Sequence, residues 1–465
     1  MAVNASQLIE KTISFLPYTP NQWQMTLISS LSSFVTTRGP RDVFLLNGYA
    51  GTGKTSIVGA LVKAMDELKL KSVILAPTGR AAKVASEYSS KPASTIHKRI
   101  FRGNSVDPGN MNFFLAENRT SDAVFFIDEA SMISDQSDST RSLLSLLCHH
   151  VYSAPGNAMI FIGDIAQLPP VGQTESLAMN PQRLLKLGLN PVSYSLTTPA
   201  RQAKESGLLY NATVIRHFIF SKFPPYKFRM FATGFPDVQV TDFSEFIDKL
   251  SASWASVGIE ETLIITRSNI RANKINNAIR GRIRFAESPL ERGDRVVISK
   301  NDYYWSKINK ISTFIANGDV GEVTWVGRTE KKYGRWFADI ELRFPNLEAT
   351  FAAKVMLRSL ASEGPAIPRL EMERLYNVVL DSYEGELSHK IKGAIEDPYY
   401  NALQMKYAYC VTCHKAQGGQ WKHVYIDLSS ISEEAYGTDF FRWLYTAVTR
   451  ATDKIFLINP TMRVV

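Results

Sequence analysis

The sequence predicts a doubly wound α/β fold, and three observations lead to that prediction. Short continuous apolar runs recur in the N-terminal third, polar or glycine-containing turns follow them, and stretches with helical spacing lie between them. Such runs are typical of strands buried on both faces of a parallel sheet. The predicted strands are Val43–Leu46, Val73–Ala76, Val124–Ile127 and Met159–Ile162, and the predicted helices are Thr55–Leu68 and Asp138–Cys148.

A second α/β unit is predicted further along the chain. It begins with the strand Thr262–Thr266 and the helix Asn269–Ile283. Beyond Gly293 the chain changes to short β-rich pieces, which favour a small barrel, and Leu370–Leu403 then has helical spacing. The last predicted strands, which we expect to rejoin the second α/β unit, are Tyr407–Val411, Val424–Asp427 and Lys454–Ile458.

Composition narrows the class of protein. The 465 residues are 45% hydrophobic and 21% charged, as in ordinary globular proteins. No apolar run approaches the ~20 residues of a membrane helix, so we expect no membrane partner. The chain opens without a secretory pattern and has three cysteines, so we expect a cytoplasmic protein. The formal net charge of +9 suits a polyanionic partner.

The most specific motif is a phosphate-binding loop. The residues Gly48-Tyr-Ala-Gly51-Thr-Gly53-Lys54-Thr55 fill the pattern G-x-x-x-x-G-K-[ST] between a predicted strand and a predicted helix. Glycines let backbone N–H groups turn toward a phosphate, and the helix adds the positive end of its dipole. Lys54 is placed to reach the β- and γ-phosphates, and the Thr55 hydroxyl is placed to ligate Mg²⁺.

An acidic pair supplies the second half of this site. Asp128 and Glu129 follow the predicted strand Val124–Ile127, and α/β proteins place their sites at the carboxyl ends of strands. Asp128 is suited to hold Mg²⁺ through water, and Glu129 to orient and deprotonate the attacking water. An Asp-Glu pair alone is usually a solvated turn. Together with the phosphate-binding loop, it predicts an enzyme that hydrolyses ATP or GTP.

A third motif follows the strand Met159–Ile162. Gly163 and Asp164 end this strand, and Gln167 lies on the next loop, ahead of Pro169-Pro170. A glutamine amide near the γ-phosphate can sense its presence and pass that state onward through the stiff proline segment. The alternative is a polar loop that the prolines only stiffen.

Together these motifs resemble those of superfamily 1 DNA helicases, with the greatest similarity to the RecD-like and phage Dda-like branch. The phosphate-binding loop, Asp128–Met132 and Gly163–Val171 are similar to motifs I, II and III of that family. The remaining motifs follow in the family's order, and the resemblance covers residues 19–460. The segments that resemble them are Thr19–Gln22 (the Q motif), Ala76–Ala82 (Ia), Ala93–His97 (the segment after Ia), Leu196–Gln202 (IV), Asn317–Gly321 (leading into the small barrel), Thr412–Gly418 (V) and Leu444–Ala451 (VI).

The resemblance implies a role for each site residue and ATP as the nucleotide. Gln22 is expected to read the adenine, Gln167 to sense the γ-phosphate, and Arg201 and Arg450 to stabilise the developing charge. The implied catalytic residues are Lys54, Glu129, Gln167, Arg201 and Arg450. The implied cofactor-binding residues are Gln22, Gly48, Ala50, Gly51, Thr52, Gly53, Lys54, Thr55 and Ser56, with Thr55 and Asp128 on the metal. The implied nucleic-acid contacts are Pro77, Thr78, Arg80, Ser94, Thr95, His97, Phe113, Phe114, Thr412, His414 and Lys415.

The resemblance also implies two RecA-like doubly wound parallel-sheet motor domains, with a small SH3-like β-barrel insertion and a short pin insertion. The first motor domain is expected at residues 1–200. It contains a pin-like insertion at 99–121. Phe113 and Phe114 either form the apolar tip of this pin or, equally, are a buried aromatic pair in an ordinary loop. The second motor domain is expected at 201–320 and 406–465, and the barrel with a helical extension at 321–405.

The sequence therefore predicts an ATP-dependent DNA helicase that moves along single-stranded DNA and unwinds duplexes. The resemblance implies 5′-to-3′ movement, with single strands and DNA fork junctions as partners. We further expect a monomer that works with replication or recombination proteins. Two alternatives stay open: a translocase or remodelling ATPase without independent unwinding, and a nucleotide-gated DNA-binding protein without motor action.

The segment Cys410-Val-Thr-Cys413-His414 also matches a haem-attachment pattern. Haem attachment requires export, and zinc would require two further ligands at suitable spacing. The remaining cysteine is Cys148, far away in sequence. We therefore expect two cysteines on a buried strand and no metal other than Mg²⁺.

Overall fold

The computed structural model of the chain describes residues 3–103, 113–135, 142–198, 206–221, 228–311, 314–344, 350–429 and 431–465. The α-helices are α1 Ala5–Ser14, α2 Gln22–Thr37, α3 Lys54–Glu67, α4 Gly79–Ser89, α5 Ile96–Ile100, α6 Leu143–Tyr152, α7 Pro181–Lys186, α8 Gly207–Ile219, α9 Phe246–Val257, α10 Asn269–Arg282, α11 Tyr304–Ile308, α12 Arg369–Asp381, α13 Leu387–Ile395, α14 Cys413–Ala416 and α15 Thr438–Val448. The strands are β1 Asp42–Gly48, β2 Lys71–Ala76, β3 Ala93–Thr95, β4 Phe101–Gly103, β5 Phe113–Leu115, β6 Ala123–Ile127, β7 Ala158–Gly163, β8 Asn190–Leu196, β9 Arg229–Met230, β10 Val238–Thr241, β11 Thr262–Thr266, β12 Arg295–Ile298, β13 Val320–Lys332, β14 Arg335–Arg343, β15 Phe351–Met356, β16 Met405–Tyr407, β17 Cys410–Thr412, β18 Trp421–Asp427, β19 Ala451–Ile458 and β20 Arg463–Val464.

Two compact units make up the fold. The first contains Met1–Arg102, Leu115–Val240 and Ala416–Val465, and the second contains Thr241–Lys415 with the described ends of the segment Gly103–Phe114. The C-terminal residues from Ala416 onward thus group with the N-terminal residues. The division into two motor domains at the predicted boundaries stays a prediction. Among the described helices, none combines the length and the apolar character needed to span a membrane.

A six-stranded parallel sheet forms the centre of the first unit. Its strand order is β3-β2-β6-β7-β1-β8. The four apolar runs predicted as buried strands are β1, β2, β6 and β7, so the predicted α/β class is confirmed. Alternate residues of β1, β6 and β7 enter two separate hydrophobic clusters, because successive side chains of a strand point to opposite faces. One cluster takes Phe44, Leu46, Val124, Phe126, Ile160 and Ile162; the other takes Val43, Leu45, Phe125, Ile127, Met159 and Phe161.

The second unit contains a parallel strand pair and an antiparallel sheet. β11 and β17 pair in parallel beside α10, and the five-stranded antiparallel sheet has the order β15-β14-β13-β12-β16. Tyr333 and Gly334, both with positive φ, form the tight turn between β13 and β14. The predicted helical stretch Leu370–Leu403 contains α12 and α13, whose buried residues share a core with Phe337 and Met356. The β-rich texture is confirmed, and its closure into an SH3-like barrel stays a prediction.

The expected single strand at Tyr407–Val411 is wrong. Tyr407 ends β16, which pairs antiparallel with β12, whereas Cys410 begins β17, which pairs in parallel with β11. The side chain of Asn276 on α10 satisfies the backbone at this break. Its amide nitrogen donates to the carbonyls of Tyr407 (3.3 Å) and Cys410 (2.9 Å), and its oxygen accepts from the Cys410 N–H (2.8 Å). One buried amide therefore lets the chain leave one sheet and enter another.

The predicted pin region begins and ends in short strands. β4 and β5 form a separate two-stranded sheet, and the Ala116 N–H donates to the Ile100 carbonyl at 2.7 Å beside it. Residues 104–112 and the side chains of Phe113 and Phe114 lie outside the part of the chain that the structure describes. The pin and its tip therefore stay predictions.

A buried ion pair joins α10 to the start of β12. Arg280 donates from Nε to Asp294 Oδ1 at 3.0 Å and from Nη2 to Asp294 Oδ2 at 2.9 Å. The Tyr409 hydroxyl, between β16 and β17, donates to the same carboxylate at 3.0 Å. Asp294 is fully buried, so this pair fixes α10 relative to the start of β12 and to the residues between β16 and β17.

Replacing Asp294 by alanine is expected to destabilise the protein strongly. Asp294→Ala leaves a buried guanidinium without its counter-charge, and we expect the free energy of unfolding to fall by about 3–5 kcal/mol. Urea unfolding measures the change. The matched control, Glu322→Ala, removes an ion pair with the exposed side chain of Arg343 and should leave the midpoint unchanged. Similar midpoints for both variants would contradict this assignment.

Candidate active site

The loop between β1 and α3 has the conformation that its glycines permit. Gly51 and Gly53 have positive φ values of 72° and 85°. A Cβ atom at Gly53 would lie 2.6 Å from the side-chain nitrogen of Gln24 and 2.8 Å from the Tyr18 hydroxyl. Gly53 is therefore required both by its backbone conformation and by the close approach of these two side chains.

The Lys54 ammonium group lies between the carboxyl ends of two neighbouring strands. It donates to the Gly48 carbonyl of β1 at 3.0 Å and to the Gly163 carbonyl of β7 at 3.2 Å. Thr55, the next residue, is exposed in the first turn of α3. The cation and the hydroxyl thus occupy the positions that the phosphate-binding motif requires.

Two glutamines of α2 have different surroundings. Gln22, predicted to read adenine, is exposed at the first position of the helix. Gln24 is buried, forms a reciprocal cap with Asn21, and donates to the Thr52 carbonyl at 3.0 Å. Sequence reasoning missed Gln24, because nothing in its local pattern distinguishes this contact from an ordinary helix cap.

The predicted metal-binding carboxylate, Asp128, is held by two hydrogen bonds. Its Oδ2 accepts from the Tyr88 hydroxyl at 3.0 Å, and its Oδ1 accepts from the Glu129 N–H at 2.9 Å. Burial, followed by the charge of Glu129, raises the pKa of Asp128, whereas Lys54 and the Tyr88 hydroxyl oppose that shift. Tyr88 on α4 was also missed from the sequence. It is distant from Asp128 in the sequence and reaches this carboxylate only in the folded chain.

Glu129 lies in a strained backbone conformation and points toward a cation. Its φ of 49° is in the left-handed region, which is costly for a residue with a Cβ and often marks functional sites. Its Oε1 lies 3.9 Å from Nη1 of Arg450, and among the described residues its buried Oε2 has no hydrogen-bond partner. The second oxygen is therefore available to a ligand.

Arg450 is held in place by backbone groups. It is 3% exposed and donates to the carbonyls of Thr446 (3.1 Å) and Gly419 (3.1 Å). Its remaining terminal nitrogen donates to the Thr449 hydroxyl at 3.3 Å. Among the described residues, the carboxylate that pairs with this guanidinium is that of Glu129, at the outer limit of ion-pair distance.

The predicted sensor Gln167 lies on the turn after β7. Its N–H donates to the Asp164 carbonyl at 3.2 Å, and its side chain is 6% exposed. Within the described ranges, its side-chain oxygen Oε1 is buried without a hydrogen-bond partner. Gln167 therefore has an acceptor that the described residues leave available to a ligand.

These side chains line one cavity of the first unit, about 210 Å³ in volume. Its walls also include residues of α8, which carries none of the motifs. A Cβ atom at Gly51 would lie 2.7 Å from Leu209 of that helix. The predicted residues that line the cavity are Ala50, Gly51, Gly53, Lys54, Thr55, Asp128, Glu129, Gln167 and Arg450.

Several predicted nucleic-acid contacts lie at one edge of the parallel sheet. β2 and β3 are neighbours, with Ala76 opposite Thr95, so Pro77 and Thr78 leave the sheet beside the residues that follow β3. The hydroxyls of Thr78 and Thr95 cap α4 and α5. Ser94 is half-buried on β3, and His97 on α5 packs against Phe101 with ring centroids 5.7 Å apart.

Arg80 makes a contact that the sequence did not predict. Its guanidinium carbon lies 3.8 Å from the centre of the Trp421 ring, and its Nη2 donates to the Gln420 carbonyl at 3.1 Å. A Cβ atom at Gly419 would lie 2.6 Å from the Arg80 Nε. Glycine at this position therefore allows the arginine to stack on the tryptophan.

The predicted contacts of the second unit follow β17. Thr412 ends this strand, and His414 and Lys415 lie on α14, His414 exposed and Lys415 half-buried. The Lys415 ammonium nitrogen is buried and has no hydrogen-bond partner in the described part of the chain. Burial and then the charge of Lys406 lower the pKa of Lys415 to about 8. Lys406 was not predicted, and its ammonium donates to the Ser362 carbonyl.

Arg201, the other predicted arginine of the active site, lies outside the described residues, as do the side chains of Phe113 and Phe114. The three cysteines, Cys148, Cys410 and Cys413, are buried and form no disulfide.

The strand order and the cavity together define a class of protein. A phosphate-binding loop, an acidic pair and a glutamine turn follow three parallel strands, β1, β6 and β7, and converge on one cavity. This arrangement is typical of a P-loop nucleoside triphosphatase.

Comparisons with known proteins agree with this class. Residues 32–173 match the model of an AAA domain, and residues 407–458 match that of the UvrD-like helicase C-terminal domain. An uncharacterized protein of Acanthamoeba polyphaga mimivirus is 24% identical over 514 aligned positions, covering 94% of this chain and 100% of that protein. The ATP-dependent RecD2 DNA helicase of Deinococcus radiodurans is 25% identical over 94% of this chain, which spans 50% of that relative.

Two further matches are either limited to part of the chain or are similarities of fold. The ATP-dependent DNA helicase dda of Enterobacteria phage T4 is 34% identical over 29% of this chain and 29% of that protein. A crystal structure of Pif1 helicase from Bacteroides, in complex with ADP-AlF3 and ssDNA, aligns over 94% of this chain and 92% of that chain. Its sequence identity is 17% and its TM-score 0.49. The matched domain models and these relatives make the chain similar to superfamily 1 DNA helicases of the branch that contains RecD2 and Dda.

The two glutamines of α2 should respond differently to substitution. Gln24→Leu leaves the buried Thr52 carbonyl unpaired and loosens the phosphate-binding loop, so we expect about tenfold weaker binding of ATP and GTP alike. Gln22→Ala, the matched exposed variant, should weaken ATP binding relative to GTP if Gln22 reads adenine. Titration with fluorescent nucleotides measures both. Equal effects of Gln24→Leu and Gln22→Ala on both nucleotides would contradict this division of roles.

Proposed function

We propose that this chain is an ATP- and Mg²⁺-dependent motor that moves 5′-to-3′ along single-stranded DNA and unwinds duplex DNA. The observation that carries the proposal is the convergence of Lys54, Glu129, Gln167 and Arg450 on one cavity. An ATPase needs the phosphate loop and the acid. A glutamine sensor and an arginine from the far end of the chain are the parts that turn hydrolysis into movement.

The residues of the cavity suit ATP with a divalent cation. Lys54 is placed for the β- and γ-phosphates, and the exposed Thr55 hydroxyl and the half-buried Asp128 carboxylate for Mg²⁺. Asp128 fits a cation because burial and the charge of Glu129 raise its pKa beyond what Lys54 and the Tyr88 hydroxyl offset, and a metal would stabilise its ionised form. When bound, Mg²⁺ neutralises phosphate charge. The Tyr88 hydroxyl orients the carboxylate.

Glu129 and Arg450 are proposed to act on the chemical step. The free Oε2 of Glu129 is available to accept a proton from the attacking water, as a general base requires. Arg450 supplies a positive charge close by, which stabilises charge that develops on the γ-phosphoryl group. Arg201 is proposed as a second such cation on the strength of the motif that it occupies. Gln167 reads the γ-phosphate through its unpartnered oxygen or its amide nitrogen.

Polar and cationic groups that follow β2, β3 and β17 are proposed to hold the DNA strand. A motor that tolerates every sequence needs contacts to phosphates rather than to base edges. The proposed contacts are Pro77, Thr78, Arg80, Ser94, Thr95 and His97 in the first unit, and Thr412, His414 and Lys415 in the second. The Lys415 ammonium is buried, and the charge of Lys406 destabilises its protonated form. It gains a counter-charge when a phosphate binds.

The remaining assignments extend the same proposal. The 5′-to-3′ direction rests on the resemblance to the family, and Phe113 and Phe114 are proposed as the pin that splits fork junctions. The motor domains are proposed at 1–200 and at 201–320 with 406–465, and the barrel at 321–405. We propose a monomer that cooperates with replication or recombination proteins in the cytoplasm, where three buried cysteines outside any disulfide remain reduced.

ATP hydrolysis and strand separation together test the proposal. We expect single-stranded oligonucleotide to stimulate hydrolysis, and unwinding only of duplexes that carry a 5′ tail. Glu129→Gln should reduce hydrolysis by about 10²–10⁴-fold while ATP still binds, because it removes the general base and keeps its shape. Unwinding from a 3′ tail alone would refute the proposed direction.

The same experiment separates the alternatives. Stimulated hydrolysis without unwinding would favour a translocase or remodelling ATPase, and hydrolysis indifferent to DNA would favour a nucleotide-gated binding protein. Phe113→Ala with Phe114→Ala should abolish unwinding and leave hydrolysis intact if these residues form the pin.

The lowered pKa of Lys415 predicts a pH dependence of DNA binding. The phosphate binds the protonated ammonium, so affinity should be highest below about pH 8 and fall as the pH rises past it. Lys415→Arg stays charged throughout and should flatten this dependence. Lys415→Ala should reduce the slope of log affinity against log salt concentration by about one. Anisotropy titrations with labelled oligonucleotide measure both, and an unchanged pH profile in Lys415→Arg would rule out the assignment.

A further inference from the structure

The peptide groups around Leu168, the residue after Gln167, are held by two side chains from far along the chain. The Leu168 N–H donates to the Thr446 hydroxyl at 2.8 Å, and the Leu168 carbonyl accepts from Gln417 Nε2 at 2.7 Å. Thr446 is fully buried and Gln417 is 5% exposed. Since a turn has no ladder of backbone hydrogen bonds, these two contacts fix the position of the sensor loop.

Tyr445, the residue before Thr446, joins the same turn to the phosphate-binding loop. Its hydroxyl donates to Asp164 Oδ2 at 2.7 Å and accepts from the Ala50 N–H at 3.0 Å. The other oxygen of Asp164 accepts from the Ala166 N–H at 2.9 Å. A single buried hydroxyl therefore contacts both a residue of the nucleotide loop and the carboxylate that begins the sensor turn.

None of the three side chains Gln417, Tyr445 and Thr446 lines the nucleotide cavity, whereas Ala50, Gln167 and Asp164 do. The three are therefore in contact with the cavity wall but not with its interior. Gln417 also lies next to Gly418 and Gly419, which do line the cavity, and two residues after Lys415 in the sequence.

We propose that Gln417, Tyr445 and Thr446 are positioning residues, which hold the Asp164–Leu168 turn so that occupation of the cavity at Gln167 is transmitted to the segment that follows Lys415. The proposal rests on the proposed motor function. The turn moves with the γ-phosphate that Gln167 contacts, and the bonds to Leu168 carry that displacement to Gln417 and to α15. Loss of one bond uncouples hydrolysis from DNA without removing a group that binds nucleotide.

The central variants are Thr446→Val, which removes the hydroxyl at nearly constant shape, and Thr446→Ser, which keeps it. We expect Thr446→Val to lower the DNA-stimulated kcat about fivefold or more, in the range of ordinary coupling energies. The KM for ATP and the Kd for ADP should stay within about twofold of the unmodified chain, because the cavity lining is unchanged. Thr446→Ser should restore the stimulated rate, which a loss of packing alone does not explain.

A double-mutant cycle tests whether the two bonds act together. Gln417→Leu removes the donor to the Leu168 carbonyl, and we expect its effect on stimulation to overlap with that of Thr446→Val, so that the double variant loses less than the product of the two single losses. If Thr446→Val fails to fold, Tyr445→Phe replaces it, since this variant removes only the hydroxyl shared by Ala50 and Asp164. The expected split between kcat and KM is the same.

Three outcomes overturn the assignment: parallel losses of ADP binding and stimulated rate, failure of Thr446→Ser to rescue, or independent effects in the cycle. The unmodified chain is measured first with a dT oligonucleotide. No stimulation there refutes the proposed motor function, whereas normal stimulation with unaffected variants refutes only the positioning role.

Discussion

The register of the central parallel sheet is the constraint on which the active site depends. β1 lies between β7 and β8, and Asn47 pairs opposite Gly163, so the turns after β1 and β7 leave the sheet side by side. β6 pairs with β7 and delivers Asp128 to the same edge. Lys54 bonds to the last residues of β1 and β7, and this geometry exists only in that register. A slip of one residue would send every strand side chain to the opposite face.

The site contains carboxylates and a strained backbone conformation that are energetically unfavourable and that the surrounding protein only partly stabilises. Burial raises the pKa of Asp128 and Asp164, and a tyrosine hydroxyl donates to each carboxylate, from Tyr88 and Tyr445. Glu129 is backbone-strained and, in the described part of the chain, has one oxygen without a partner. Strain and unmet hydrogen-bond capacity concentrated in one cavity are typical of a site that gains stability when its ligand binds.

A short segment near the C-terminus contacts both the nucleotide cavity and a residue proposed to hold the DNA strand. Gly418 and Gly419 line the nucleotide cavity, and the Gly419 carbonyl accepts from Arg450. The adjacent Trp421 stacks under Arg80, a proposed strand contact. Because the proposed nucleotide contacts and the proposed strand contacts lie within a few residues of each other, we expect a small displacement of this segment to affect both.

The sequence by itself determined the α/β class, the buried strands and the phosphate-binding loop, because each has a local signal: a continuous apolar run, or glycines that allow positive φ. The tertiary structure alone decided that Gln24 supports the phosphate loop, that Tyr88 holds Asp128, and that α8 walls the cavity. It also decided where β16 ends and β17 begins, through the amide of Asn276 on a distant helix. Each of these is a contact between residues far apart in the chain. Residues of these types can make many different contacts, so only the packed fold determines which contact each of them forms.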